Sequence, residues 1–280
     1  MNRNKKKFNK KIKNKQENHS KKWLWAGLFI AAFTFLLFSP SLKYDFVNWD
    51  DDINIYENDN VVRFDVNGIF THHVIGNYNP LTTLTFALEY QMAGENPFLY
   101  HLNNLILHVL CTLLVLLLMR KLGLSFLVSL LVALLFGIHP MRVESVVWIT
   151  ERKDVLFGAF FLLSLIFYID YLEKKKSLFF VLSLGVFVLS LLSKIQAVAL
   201  APTLLLIDYW YNRKPDRSLI LEKIPFFLLA LATGLAGIWF LRQQGSLDTG
   251  TSFPLVQRLF IGSYSFMVYI IKSLVPWEMS

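Results

Sequence analysis

The stretch HLNNLILHVLCTLLVLLLM, residues 101–119, decides the fold. It runs 19 residues without an acidic or basic side chain of fixed charge and ends against Arg120 and Lys121. About 20 mainly apolar residues carry a helix across the hydrocarbon of a bilayer, where every backbone polar group must be satisfied inside the segment. Its few polar residues are ordered. His101, Asn104 and His108 fall at i, i+3 and i+7 and share one helical face. A polar stripe on an apolar span faces protein or water, and interhelical hydrogen bonding is its commoner use, catalysis the rarer. Two histidines seven apart are not a metal motif by themselves.

Similar stretches recur on both sides, at residues 23–39, 124–139, 155–172, 177–193, 195–210, 224–241 and 257–275, which makes about eight candidate spans. Residues 177–193 and 195–210 are separated by almost nothing and read equally as a hairpin dipping partway across. Composition agrees with a membrane protein. Of 280 residues 55% are hydrophobic and 17% charged, against about 25% charged in soluble chains, and the mean hydropathy is +0.46. The predicted fold class is all-α, a polytopic integral-membrane helical bundle. The lone cysteine, Cys111, excludes an intramolecular disulfide and reads as a small buried hydrophobe.

The net charge of +8 comes largely from one place, which argues against nucleic acid as a partner. Residues 1–22 hold ten Lys or Arg against Glu17 alone and are expected to be a disordered cytoplasmic tail. The apolar run that follows reads as a membrane anchor in preference to a signal peptide, because no small-x-small cleavage site follows it. With the N-terminus inside, the inner segments carry 19 basic residues and the outer ones eight, as the positive-inside rule requires. The expected location is the cytoplasmic (inner) membrane. Residues 23–280 form the expected membrane domain.

This topology leaves one long extracytoplasmic loop, residues 41–100, acidic and turn-rich. It carries Trp49, Tyr56, Phe64, Phe70, Tyr78 and Phe86, too many aromatics for disorder, and short surface helices are expected in it. Within it, Asp50, Asp51 and Asp52 follow Trp49 about ten residues beyond the first span. Adjacent carboxylates there suit a general base, divalent-metal ligands or a solvated turn, and acids near membrane level tend to be functional. Further on, Pro140 is placed to start a helix on which Glu144, Trp148, Glu151 and Val155 share a face with Arg152 at its edge. Surface ion pairing is one reading of that face; an anionic phosphate ligand, which guanidinium fits, is the other. Lys194 stands at an outward turn, where it either snorkels to the interface or holds a lipid-linked phosphate.

Six strings occur in order: Phe46-Val47-Asn48-Trp49-Asp50-Asp51-Asp52; Asn79-Pro80-Leu81-Thr82; His101-Leu102-x-Asn104 through His108; His139-Pro140-x-x-Val143-Glu144-Ser145-Val146; Glu151-Arg152-Lys153-Asp154-Val155-Leu156; and Lys194 through Asp208-Tyr209-Trp210. Together they resemble the membrane part of the transmembrane O-mannosyltransferases that carry tetratricopeptide repeats, particularly their bacterial relatives, over residues 40–275. The resemblance implies a C-type, inverting glycosyltransferase that takes a mannose-like hexose from a polyprenyl-phosphate donor to a protein or glycan hydroxyl at the outer face. It implies Asp50 or Asp51 as the base, Arg152 and Lys194 on the donor phosphate, and His101, His108, His139 and Glu144 lining the cavity. Whether Asp50 and Asp51 also hold a divalent metal stays open; no other cofactor is implied. Arg142 departs from the family, whose members usually have a histidine there, as does Ile195, where the animal enzymes have an acid. Relatives continue into further spans and a repeat domain, so a shortened chain, and with it an inactive one, is an expectation too. A transporter or a non-catalytic membrane scaffold are the competing readings; the former lacks support from any inverted repeat.

Overall fold

The structure, a computed structural model, describes residues 21–245 and 253–276; residues 1–20 of the basic tail lie outside the described residues. The described chain is helical, with a single isolated bridge, Val74 to Asn77, and no strand pairing beyond it. The all-α membrane bundle expected from the sequence is what the chain forms.

Helix α1, Lys21–Lys43, tightens over Ser39–Lys43 into a 3-10 turn where Pro40 removes a donor. The acidic loop follows as a π-helical turn, Asp52–Tyr56, then α2 (Asp59–Val62), α3 (Val66–Thr71) and α4 (Pro80–Ala93). Side chains start these short helices: Asn58 accepts from Asn60 N and Asp65 from Gly68 N, satisfying first-turn donors. The loop has a core of its own, in which Ile55, Val61, Ile69 and Phe86 pack with Tyr100 and Ile149 of the membrane part. It also docks on a distant helix through Tyr78 and His73, whose rings lie 5.1 and 5.2 Å from that of Phe240.

The membrane part consists of α5 (Pro97–Lys121), α6 (Phe126–Ile138), α7 (Val143–Val147), α8 (Arg152–Lys174), α9 (Ser177–Ser193), α10 (Leu200–Trp210), α11 (Arg217–Gln243) and α12 (Leu255–Leu274). Helices thus stand at all eight apolar stretches. Among the described residues four helices are long and apolar enough to cross a membrane alone: α1, α5, α8 with the turn that precedes it, and α11. Helix α6 and the segment Pro140–Val147 qualify only together, bent by 54°. At 17 residues, α9 covers about 26 Å, short of the roughly 30 Å of hydrocarbon.

Apolar side chains cannot distinguish a helix neighbour from lipid, so small and polar residues hold the bundle together. Helix α9 lies against α8 through reciprocal bonds, Ser164 Oγ to Ser183 O at 2.8 Å and Ser183 Oγ to Ser164 O at 2.9 Å, with Ser190 Oγ reaching Phe157 O at 2.9 Å. Gly137 lets α1, α5 and α6 meet, since a Cβ there would lie 2.8 Å from both Thr112 Cγ2 and Thr34 Oγ1. At the end of the bundle formed by the last turns of α8 and α10 and the first turns of α11, Asp208 pairs with Arg213 at 3.0 Å and Lys223 at 2.6 Å and accepts from Tyr168 at 2.7 Å.

Candidate functional site

The opposite end gathers the sequence-predicted residues, and it does so around a break. A continuous helix from Pro140 through Val155 was the expectation. Instead the chain forms a 3-10 turn, Pro140–Arg142, then α7, leaves helical geometry at Trp148 (φ −79°, ψ 121°) and turns through Ile149–Glu151 into α8. Periodicity favours the unbroken helix; tertiary partners pay for the rupture. Asn104 of α5 donates through Nδ2 to Trp148 O and Ile149 O, both at 3.2 Å, and Asp51 Oδ1 accepts from Thr150 N at 3.0 Å and from the Thr150 hydroxyl. Carbonyls and an amide released by the break thereby regain partners.

The break separates the expected face into two neighbourhoods. On one side a cavity of about 880 Å³ is bounded by the end of α1, the residues after it, the start of α5 and α7. Asp51, His101 and Glu144 are in its wall, with Trp49, Trp148 and Lys43 beside them. His101 is 2% exposed, and its ring lies against the backbone of Tyr44 and Asp45. Trp148 Nε1, a donor only, is buried without a partner.

On the other side Lys194 sits between Glu151, at 3.2 Å, and Asp154, while Lys153 pairs with Glu151 at 2.7 Å. Asp154 also accepts from Ser145 Oγ at 2.9 Å. Here Asp50 borders a small polar cavity, about 20 Å³, with Asn77, Asn79, Thr83 and Lys153 in its wall. That is room for one hydroxyl-sized group. Burial raises the Asp50 carboxyl above its ordinary value, with Glu151, Asp51 and Asp52 adding to the rise and Lys153 opposing it. Adjacent in sequence, Asp50 and Asp51 border different cavities. Among the described residues no three His, Cys, Asp or Glu side chains form a metal-sized cluster.

Three of the expected residues lie elsewhere. Arg152 is fully buried, and its guanidinium is engaged by Glu89, by Asn104 Oδ1 at 2.7 Å, by Tyr100 O at 2.8 Å and by Thr85 Oγ1 at 3.3 Å. A guanidinium removed from water needs such partners, and these leave it facing protein rather than the large cavity. His108 Nε2 meets Gly137 O at 2.9 Å and borders a separate cavity of about 170 Å³ that also contains Arg142. His139 Nδ1 accepts from Met141 N at 3.3 Å and so caps the turn it starts. Glu89 belongs to the acidic loop, and nothing local in the sequence marks it as the carboxylate that meets an arginine 63 residues away.

No family model and no solved structure matches. Human protein O-mannosyl-transferase TMTC1 is 35% identical over 163 residues, which are 51% of this chain and 18% of the relative. The chain's relatives are protein O-mannosyl-transferases. Protein O-mannosyl-transferase tmtc2 of Xenopus laevis is 35% identical over 161 residues, 54% of this chain and 19% of the relative. Human TMTC4 is 30% identical over 168 residues, 51% and 23% respectively. The family that the ordered strings resemble is the one to which these relatives' names point. The chain spans about a fifth of the length of the curated relatives it matches.

Proposed function

We propose that this chain is the catalytic membrane part of a C-type glycosyltransferase, transferring a mannose-like hexose from a polyprenyl-phosphate donor to a protein or glycan hydroxyl at the outer membrane face. The reading places it in the cytoplasmic membrane with the N-terminus inside and residues 1–22 as a tail before a membrane domain. The observation that carries it is the divergence of the adjacent acids: Asp51 borders a large cavity with aromatic and apolar walls, and Asp50 a polar one of hydroxyl size. The first suits a sugar on a lipid carrier, the second the oxygen that attacks it.

In this mechanism Asp50 is the base. Its carboxylate takes the proton of the acceptor hydroxyl, the acceptor oxygen bonds to the anomeric carbon from the side opposite the phosphate, and polyprenyl phosphate leaves with the electrons of the broken bond. A base with a raised pKa is better matched to neutral pH than an ordinary carboxylate. Asp51, already accepting three hydrogen bonds from Val47 N, Thr150 N and the Thr150 hydroxyl, fixes the pair and faces sugar hydroxyls with His101 and Glu144. Lys153, in the wall of the small cavity, is the cation that acts on Asp50, while Lys194 is held between Glu151 and Asp154. A base contributes about 10²–10⁴-fold and orientation must supply more.

The test is transfer by the purified chain in detergent, with radiolabelled polyprenyl-phosphate mannose and hydroxyl-bearing peptides. Transfer that falls about 10²–10⁴-fold in Asp50→Asn supports the reading. Binding without any transfer would favour the scaffold, and flux across vesicles without covalent product the transporter.

A further inference from the structure

The phosphate of the proposed donor has no partner in the residues first assigned to it. Arg152 is enclosed by Glu89, Asn104 and Tyr100 O, and Lys194 is held between Glu151 and Asp154; neither borders the 880 Å³ cavity. The cavity wall carries one cation, Lys43, and three acids, Asp45, Asp51 and Glu144. Lys43 is the last residue of the 3-10 turn that ends α1, so it stands where an apolar span meets the interface. Among the described residues it makes no ion pair, although Asp45 is two residues on; Asp45 instead accepts from Phe46 N at 2.9 Å.

We infer that Lys43 is the phosphate-binding residue of this cavity, holding the phosphate that joins lipid to sugar, a phosphodiester, at its mouth while the uncharged sugar lies deeper. The inference rests on the transferase reading for the class of ligand, while binding of its phosphate can be read without any transfer. Charge sorts the two halves of such a ligand. Asp51 and Glu144 repel an anion from the interior but accept hydrogen bonds from hydroxyls, and the partnerless indole of Trp148 in the same wall is matched by a ligand that brings acceptors as well as donors. The indole N–H in particular needs an acceptor that the protein does not supply. Phe46, Val47, Val143 and Val147 complete the wall with apolar surface for the start of the lipid chain.

The experiment measures binding to the full chain in lipid nanodiscs by equilibrium binding of radiolabelled probes: polyprenyl-phosphate mannose, polyprenyl monophosphate, the matching polyprenol and inorganic phosphate. Wild type is expected to prefer the monophosphate to the alcohol. Lys43→Ala should weaken the monophosphate about five-fold, the change that corresponds to the roughly 1 kcal/mol of a lysine beside an anionic lipid group, leave the alcohol unchanged, and be rescued by Lys43→Arg. Trp148→Phe should weaken both lipids only slightly but remove the preference for a sugar-bearing donor over the bare monophosphate. Lys43→Ala binding like wild type while Lys194→Met loses the preference would overturn the assignment. Binding of inorganic phosphate as tight as that of the lipid would also overturn it, by assigning the site to free phosphate. If Lys43 discriminates the lipids and no sugar is ever transferred, the assignment stands and the transferase reading fails.

Discussion

Thr150 gives both its backbone N–H, at 3.0 Å, and its hydroxyl to Asp51 Oδ1, joining residues 99 apart in the chain. This contact ties the acidic loop to the broken segment between α7 and α8, and it holds one of two adjacent carboxylates while leaving its neighbour to face another cavity.

Thr150→Val removes the hydroxyl and keeps the shape and the backbone bond. A hydrogen bond to a charged group contributes about 1.5–3 kcal/mol, so a lower midpoint of thermal unfolding in detergent is expected, with a loss of transfer through misplacement of Asp51. Thr150→Ser should restore both. An unchanged midpoint would show that the loop is held elsewhere.

The pH dependence of transfer should identify the base. Asp50 must be ionised to accept a proton, and its pKa is raised by burial, so kcat/KM should fall as pH drops through a value above the ordinary carboxylate range. Lys153 lowers that pKa; Lys153→Met should therefore move the acid limb to higher pH. A limb that stays in place in Lys153→Met would assign it to another group.

The pair of Arg152 and Glu89 is completely enclosed, with side-chain exposures of 0% and 6%. Removing one partner leaves an uncompensated buried charge, at a cost of about 3–5 kcal/mol, so Arg152→Met should yield little folded protein by size-exclusion chromatography after mild heating. The double variant Arg152→Met with Glu89→Met should recover much of it. Equal loss in single and double variants would point to the packing of Asn104 and the helix break instead.

Gly137→Ala should loosen the crossing of α1, α5 and α6. Its methyl meets Thr112 Cγ2 and Thr34 Oγ1 at 2.8 Å, and overpacking of this kind costs about 1–3 kcal/mol. Adding Thr112→Ser removes one of the two clashing atoms and should return part of the stability, read as the midpoint of thermal aggregation.

The sequence by itself determined the membrane class, the positions of the apolar helices and the polar stripe of α5, because these depend on local composition and on the 3.6-residue period. His101, Asn104 and His108 do face protein together, at exposures of 2%, 0% and 1%. The tertiary structure decided what each of them does: His101 borders a cavity, Asn104 binds the carbonyls at Trp148 and Ile149, and His108 meets Gly137 O. It also decided that the helix predicted from Pro140 breaks, that Arg152 turns inward to Glu89, and that Asp50 and Asp51 part company. Each of these outcomes depends on a polar partner brought from another helix or loop, tens of residues away in sequence. In a low-dielectric interior an unpaired charge or a free carbonyl is costly enough for such a partner to override local helical preference.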